Sequence, residues 1–408
     1  MTIDSVQLAP GRAAFTGSRW ELAGLILRGY LLMVPTIGLA RFWQATWKRR
    51  FYWEHTFIGG DPLEYTGHAS QLLLGFLFAI ACFLPVYLVF FYLSTQLDQI
   101  ALAGYAAVLA VLWFFAGYAQ YRGRDFRFSR TLWRGIRFDV KGNAWAYAGR
   151  RFLWTIPMVL TLGLIYPFMA ANLWRYRYGH TWFGDRQFAI SGTWRQLAFP
   201  YWSSWLLNVA MVAGIAAYAV LNKDFVIYEG RTLPGPMTLL LTLGALATFV
   251  FSIAFYRARA ASRMLSTVSI GDALLKVTIR ARHLFGQYLL YAFAFVGLFA
   301  LFAFLAIVIA GTIIAAAAGA GDAPDPAAVM RFFESGTLNV VLLIVVYLLL
   351  LGAFGLLSEI ILAVGWWKLV ARGTVISNAD SLRTVRAGRE DRALLGEGLA
   401  DALNVGAY

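Results

Sequence analysis

Long apolar runs constrain this chain more than any other feature. Eight of them lie at about 20–40, 72–93, 100–118, 152–173, 202–221, 236–255, 284–318 and 338–370. Several exceed the roughly 18–20 residues that cross a bilayer. Hydrocarbon offers the backbone no hydrogen-bond partners, so such runs must satisfy their own amides as helices. Charged residues make up 14% of the chain, against about 25% in a soluble protein. The expected class is an all-α polytopic membrane protein.

The segments between the runs differ in charge, which sets an expected topology. Residues 94–99 carry Asp98 and neither Lys nor Arg. Residues 222–235 balance Lys223 and Arg231 against Asp224 and Glu229, and residues 319–337 set Arg331 against Asp322, Asp325 and Glu334. Residues 119–151, by contrast, hold Arg122, Arg124, Arg127, Arg130, Arg134, Arg137, Lys141, Arg150 and Arg151. If all eight runs cross, the basic residues divide almost evenly between the two sides. If the first and fourth enter and leave on one face, nearly all fall on one side, as the positive-inside rule requires. The expectation is six spanning helices plus two re-entrant or interfacial helical hairpins, with both termini cytoplasmic. Trp20–Val34 is too short to cross, and Pro35-Thr36-Ile37-Gly38 breaks it. The stretch 152–173 is long enough to span if Pro157, Gly163 and Pro167 permit. The first twenty residues lack an apolar core for a cleavable signal peptide. The expected divisions are a cytosolic arm (1–19), two membrane repeat units (20–136 and 137–262), a C-terminal helix pair (263–372) and a cytosolic tail (373–408).

The repeat shows as matches at an offset of 125 residues, the separation of His55 and His180. The pairs include Trp20/Trp145, Thr36/Thr161, Gly38/Gly163, Arg50/Arg175, Thr56/Thr181, Gly59/Gly184 and Gly67/Gly192. In the expected topology both copies share one orientation, an internal parallel repeat. Small cytosolic β-hairpins are expected after each His-Thr, around Gly59-Gly60 and Gly184-Asp185, with a further strand within Arg127–Val140. The motifs Phe15-Thr16-Gly17, Thr36-Ile37-Gly38-Leu39, the aromatic-basic run to His55-Thr56, Tyr65-Thr66-Gly67, Thr161-Leu162-Gly163-Leu164 and Gly396–Asp401 resemble those of the YjgN-like inner-membrane proteins of bacteria. Their common domain has no assigned function. The chain departs from that pattern at Ala40-Arg41-Phe42, where the second copy keeps Ile165-Tyr166-Pro167. The resemblance implies location in the bacterial cytoplasmic (inner) membrane and a multi-pass topology, and implies no reaction.

Candidate sites follow from placement. Arg41–Trp53 and Trp174–Trp182 mix aromatic rings with cations, a pattern that anchors a helix at headgroup level. The sharper reading is a site for an anionic lipid headgroup or substrate, made by Lys48, Arg49, Arg50, Arg175 and Arg177. His55 and His180 cap helices or tie turns in the plain reading, and relay a proton or hold a metal in the sharper one. Four His and one Cys point away from a metal, and no cofactor is expected. Arg28 and Glu359 are charges inside apolar runs, where such residues pair or take part in function. Glu359 is either a structural partner of Arg28 or a coupling carboxylate. Thr36, Gly38, Thr161 and Gly163 mark backbone breaks where a cavity between the repeats could open.

No Gly-x-Ser-x-Gly, phosphate loop or His-Glu-x-x-His is present, so no enzyme is expected. The net charge of +14 reflects cytoplasmic loops, and no recognition motif for nucleic acid accompanies it. The partners expected are the lipid bilayer and anionic headgroups. The function expected is transport or lipid handling through a cavity between the repeats. The rival is a structural or assembly factor, and a third reading, a membrane enzyme, has no candidate residues.

Overall fold

The computed structural model describes residues 11–96, 98–228, 231–318 and 336–388. The Gly396–Asp401 motif, residues 1–10 of the arm and the acidic stretch 319–335 lie outside the described residues. Within them, one order recurs five times: strand, helix, helix, strand. The first unit is β1 (Ala13–Phe15), α1 (Arg19–Met33), α2 (Arg41–Glu54) and β2 (Thr56–Ile58). The second is β3 (Asp61–Tyr65), α3 (Ala69–Gln96), α4 (Asp98–Ser129) and β4 (Thr131–Trp133). The third is β5 (Ile136–Val140), α5 (Ala144–Leu160), α6 (Tyr166–Gly179) and β6 (Thr181–Phe183). The fourth starts with β7 (Arg186–Ile190) and α7 (Trp194–Leu221), carries a small outer hairpin of β8 (Phe225–Tyr228) and β9 (Arg231–Pro234), and returns through α8 (Pro236–Leu265) and β10 (Val268–Ile270). The fifth is β11 (Ala273–Val277), α9 (Ala281–Ala318), α10 (Gly336–Leu357), a π-helical turn (Ser358–Ala363), α11 (Val364–Gly373) and β12 (Thr374–Ser377).

The same local chemistry makes each unit. The N–H of the residue after the first strand, at Thr16, Thr66, Lys141, Ser191 and Thr278, donates to the carbonyl before the second strand. The acceptors are His55, Arg130, His180, Thr267 and Gly373, at 2.8–3.1 Å. In four units the second strand opens on a Thr whose hydroxyl donates to the carbonyl four residues earlier: Thr56 to Tyr52, Thr131 to Arg127, Thr181 to Arg177 and Thr374 to Val370. Each bond satisfies a carbonyl that the helix end leaves orphaned. The β-branched side chain then suits the strand that follows. First helices begin at polar caps, as where Asn143 Oδ1 accepts from Trp145 N at 2.8 Å and Thr193 N donates to Gln196 Oε1 at 2.8 Å. Between units the chain turns at Gly59-Gly60, Arg134-Gly135, Gly184-Asp185 and Gly271-Asp272. Gly59, Gly60, Gly135, Gly184 and Gly271 all take positive φ there, as tight hairpin turns require.

The ten long-range strands form one antiparallel sheet in the order β1-β2-β3-β4-β5-β6-β7-β10-β11-β12. It closes nearly into a barrel. Arg12 bridges Val375, and Ile376 N donates to Gly11 O at 2.7 Å. The interior of this ring holds Trp133, Phe183 and Ala273, packed with Leu382 and Val385 from the chain beyond β12. Arg386 and Asp185 exchange two 3.0 Å hydrogen bonds that fix that segment across the ring.

Two expectations are therefore corrected. The class is not all-α: helices are joined to a ten-stranded sheet, and the hairpins expected at Gly59 and Gly184 are parts of it. Strands of three to five residues, paired with partners as distant as residues 12 and 375, leave no periodic pattern long enough to read. The number of spanning helices also differs from six. Among the described residues, five are long and apolar enough to cross: Ala69–Tyr92, Trp194–Leu221, Pro236–Leu265, Ala281–Val308 and Ile344–Gly373. α4 is long, but Arg122, Arg124, Asp125 and Arg127 occupy its C-terminal part. The short pairs α1–α2 and α5–α6 have helices of 14–17 residues and are not among the five.

Candidate functional site

The short helical pairs carry most of the residues singled out above. In each, a left-handed pair of residues reverses the chain: Ile37 and Gly38 in the first, Leu162 and Gly163 in the third unit. Thr36 Oγ1 donates to Leu32 O at 2.6 Å and accepts from Ala40 N at 3.0 Å. Thr161 Oγ1 likewise donates to Pro157 O at 2.8 Å and accepts from Ile165 N at 3.4 Å. The Thr-x-Gly breaks are thus hairpin tips that bind their own backbone, and neither lines the cavities described below. Ile37 and Leu162 are 93% and 82% exposed, so apolar side chains lead both tips. The second tip is also held by α7, where Tyr201, Trp202 and Trp205 donate to the carbonyls of Gly163, Leu164 and Leu162 at 2.8–3.1 Å. Those donors satisfy backbone that hydrocarbon could not.

The two histidines close helices. His55 Nδ1 lies 2.8 Å from Phe51 O, and His180 Nδ1 lies 2.7 Å from Tyr176 O. Each is bound within its own unit, in keeping with the capping reading. Among the described residues, no group of three or more His, Cys, Asp or Glu is placed to hold a metal.

Two grooves sit beside these pairs. The first, about 620 Å³, lies between α1 and α2. Its end near the sheet carries Glu21, Glu54 and His55, with His55 Nε2 3.6 Å from Glu21 Oε2. Arg28 and Arg50 stand further along, and Leu31, Leu32 and Trp47 line it toward the tip. The second, about 400 Å³, lies between α5, α6 and the start of α7. It is walled by Trp154, Phe168 and Trp194, with Asn172, Arg175 and Arg195 as its polar groups. Phe168 and Trp194 stack at 4.6 Å, and Asn172 Oδ1 is buried without a hydrogen-bond partner. Arg50 and Arg175 occupy equivalent places, each six residues before the strand-opening Thr. The repeat therefore gives two separate grooves, each with its own arginine.

Glu359 lies elsewhere. It belongs to the π-helical turn that interrupts the last long helix, a distortion frequent at functional sites. Its carboxylate accepts from Lys48 Nζ at 3.3 Å and Tyr52 OH at 3.2 Å. Arg28, its partner in one of the two readings, lines the first groove. Lys48 could not be found as the partner by local reasoning, since it lies 311 residues away in sequence. Beside the pair, Trp367 donates to Thr56 Oγ1 at 2.8 Å and packs on Tyr52 and Trp53. This contact seals the fifth unit onto the first.

A family model for a bacterial protein of unknown function (DUF898) matches residues 10–402. The chain belongs to the DUF898 family. The YjgN-like proteins that the motifs resemble are this same family. No curated protein and no solved structure matches the chain. For this DUF898 member, the five long apolar helices are those of a membrane protein of a bacterial family.

Proposed function

We propose that this DUF898 protein is a lipid-handling protein of the bacterial inner membrane, holding phospholipid headgroups in its two interfacial grooves. The sheet lies on the cytoplasmic side in this reading, because the basic residues between the apolar runs are concentrated in and around it. The observation that carries the reading is the gradient along the first groove. Charge sits at the sheet end, arginines in the middle and Leu, with Trp, toward the exposed tip. An amphiphile with its phosphate at Arg28 and Arg50, a headgroup amine toward Glu21 and Glu54, and its acyl chains along Leu31, Leu32 and Trp47 would match it. The second groove has a different lining, with Arg175 and Arg195 over aromatic walls, and shares with the first an arginine at the equivalent place; guanidinium groups suit phosphate oxygens bidentately. The reading rests on these two grooves. The middle of the ring is occupied by Trp133, Phe183, Leu382 and Val385, which favours holding lipid at the interface over passing a solute through the axis.

The test is native mass spectrometry of the protein extracted in a mild detergent. Phospholipid should accompany the wild-type protein, and Arg50→Gln and Arg175→Gln should each lose part of it. The double variant should lose nearly all, while Arg134→Gln, on a ring turn, should lose none. Wild-type protein free of phospholipid, or a double variant that retains it, refutes the proposal and turns the reading toward an assembly factor.

A further inference from the structure

The two grooves share an arginine position but not a charge balance. In the first, Arg28 and Arg50 stand with Glu21 and Glu54, so its arginines and glutamates cancel. The second holds Arg175 and Arg195, with no acidic residue among the described residues that line it. Neither of these arginines joins an ion pair among the described residues. Both are exposed, and the Arg195 guanidinium lies 5.9 Å from the centroid of the Trp194 ring in the groove wall.

Two uncharged features point the same way. α7 begins at Trp194, on the wall of the second groove, and the first amides of a helix carry partial positive charge. Asn172, one turn before Arg175 on α6, lines the groove and has its Oδ1 buried without a partner. An unpaired buried acceptor is costly, so a group that settles there should bring a donor. An ammonium is a donor, but two guanidinium groups without a carboxylate repel it. A hydroxyl brings the donor without the charge. In the first groove, by contrast, Arg50 and Glu54 lie one turn apart on α2, about 6 Å along the axis. That separation suits a phosphate and an ammonium joined by a short linker.

We propose, on the reading that both grooves hold lipid, that the second takes an anionic phospholipid whose headgroup carries free hydroxyls. It turns away the ammonium-bearing headgroup that the first groove takes. The phosphate lies between Arg175 and Arg195 at the start of α7, and a headgroup hydroxyl donates to Asn172. Because a hydroxyl both donates and accepts, it serves the Asn172 amide in either orientation.

The test is native mass spectrometry of the full chain, delipidated in mild detergent. It is offered an equimolar mixture of phosphatidylethanolamine and phosphatidylglycerol of distinct acyl mass. Wild-type protein should bind one of each. Arg195→Glu gives the second groove one charge of each sign. It should weaken phosphatidylglycerol binding by about tenfold or more, the loss expected for a charged hydrogen bond, and admit a second phosphatidylethanolamine. Glu21→Gln with Glu54→Gln should do the reverse and bring a second phosphatidylglycerol into the first groove. Asn172→Leu should weaken phosphatidylglycerol by about fivefold and leave phosphatidylmethanol, an anionic phosphodiester without a free hydroxyl, unchanged. Glu21, Glu54 and Arg195 are exposed, so the two charge variants keep the packing and test the proposal separately. A wild type that binds no phospholipid overturns the lipid-holding reading and this proposal with it. Two phospholipids taken in the proportion supplied, or charge variants that leave the classes unchanged, overturn the class assignment and leave lipid holding intact.

Discussion

Removing Glu359 should expose how the ring is sealed. The residue is 9% exposed, and its carboxylate accepts from Lys48 and Tyr52, joining the fifth unit to the first. Breaking a buried pair by removing one partner costs about 3–5 kcal/mol. Lys48 keeps 26% of its side chain exposed, and the water left to it reduces the expected loss to roughly 2–3 kcal/mol. Glu359→Leu should therefore lower stability by that amount. Replacing both charges, as Lys48→Met with Glu359→Leu, should recover most of it, because the apolar pair has no desolvation penalty to meet. The coupling read from the double-mutant cycle should be about 2 kcal/mol. Unfolding in detergent, followed by tryptophan fluorescence, suits the site because Trp53 and Trp367 lie beside it, 5.5 Å apart. If Glu359→Leu alone changes stability by less than about 0.5 kcal/mol, or the two changes simply add, the pair does not hold the seam.

Two further outcomes follow from the unit chemistry. Thr56→Val and Thr131→Val should each cost about 1–3 kcal/mol, because each hydroxyl donates to a helix carbonyl and also accepts from an indole, Trp367 or Trp53. Thr374→Val, where the hydroxyl bonds only Val370 O among the described contacts, should cost nearer 0.5–1 kcal/mol; equal losses at all three, measured by unfolding, would contradict this. Gly184→Ala should release the segment beyond β12, since its φ is +56° and an added Cβ would collide with Arg386 O and touch Val385. Limited trypsin digestion should then cut near Arg386 much faster. Gly24→Ala, with no atom within 4 Å of the new methyl, should leave both cleavage and stability intact or slightly improved.

The membrane helices were legible because a long apolar run has one physical solution. The ring was not, because its information is spread over strands too short to show alternation. Thr56, Thr131, Thr181 and Thr374 mark where those strands begin, but the spacing between them follows helix length. A search at one fixed offset finds only the first and third. The same offset did place Arg50 and Arg175 together as equivalents, and the structure puts each at a groove. His55 and His180 resolved toward capping because their nearest acceptors are carbonyls one helical turn back. Thr36 and Thr161 drew attention as breaks in apolar helix, and the break turned out to be a self-satisfied tip. Arg124 was legible only as one cation in a basic loop, since nothing local shows that the Tyr178 ring of α6 faces it.

The account rests on the ring lying wholly on one face of the membrane, because that places both grooves at headgroup level. Single cysteines at Glu64, Arg134, Gln187 and Asp272, each in a Cys82→Ser background, test this with a membrane-impermeant thiol reagent. All four are exposed on strands or turns of the ring. The account predicts that all four stay unlabelled in intact cells and react fully in inverted vesicles. Labelling split between the two preparations would contradict it.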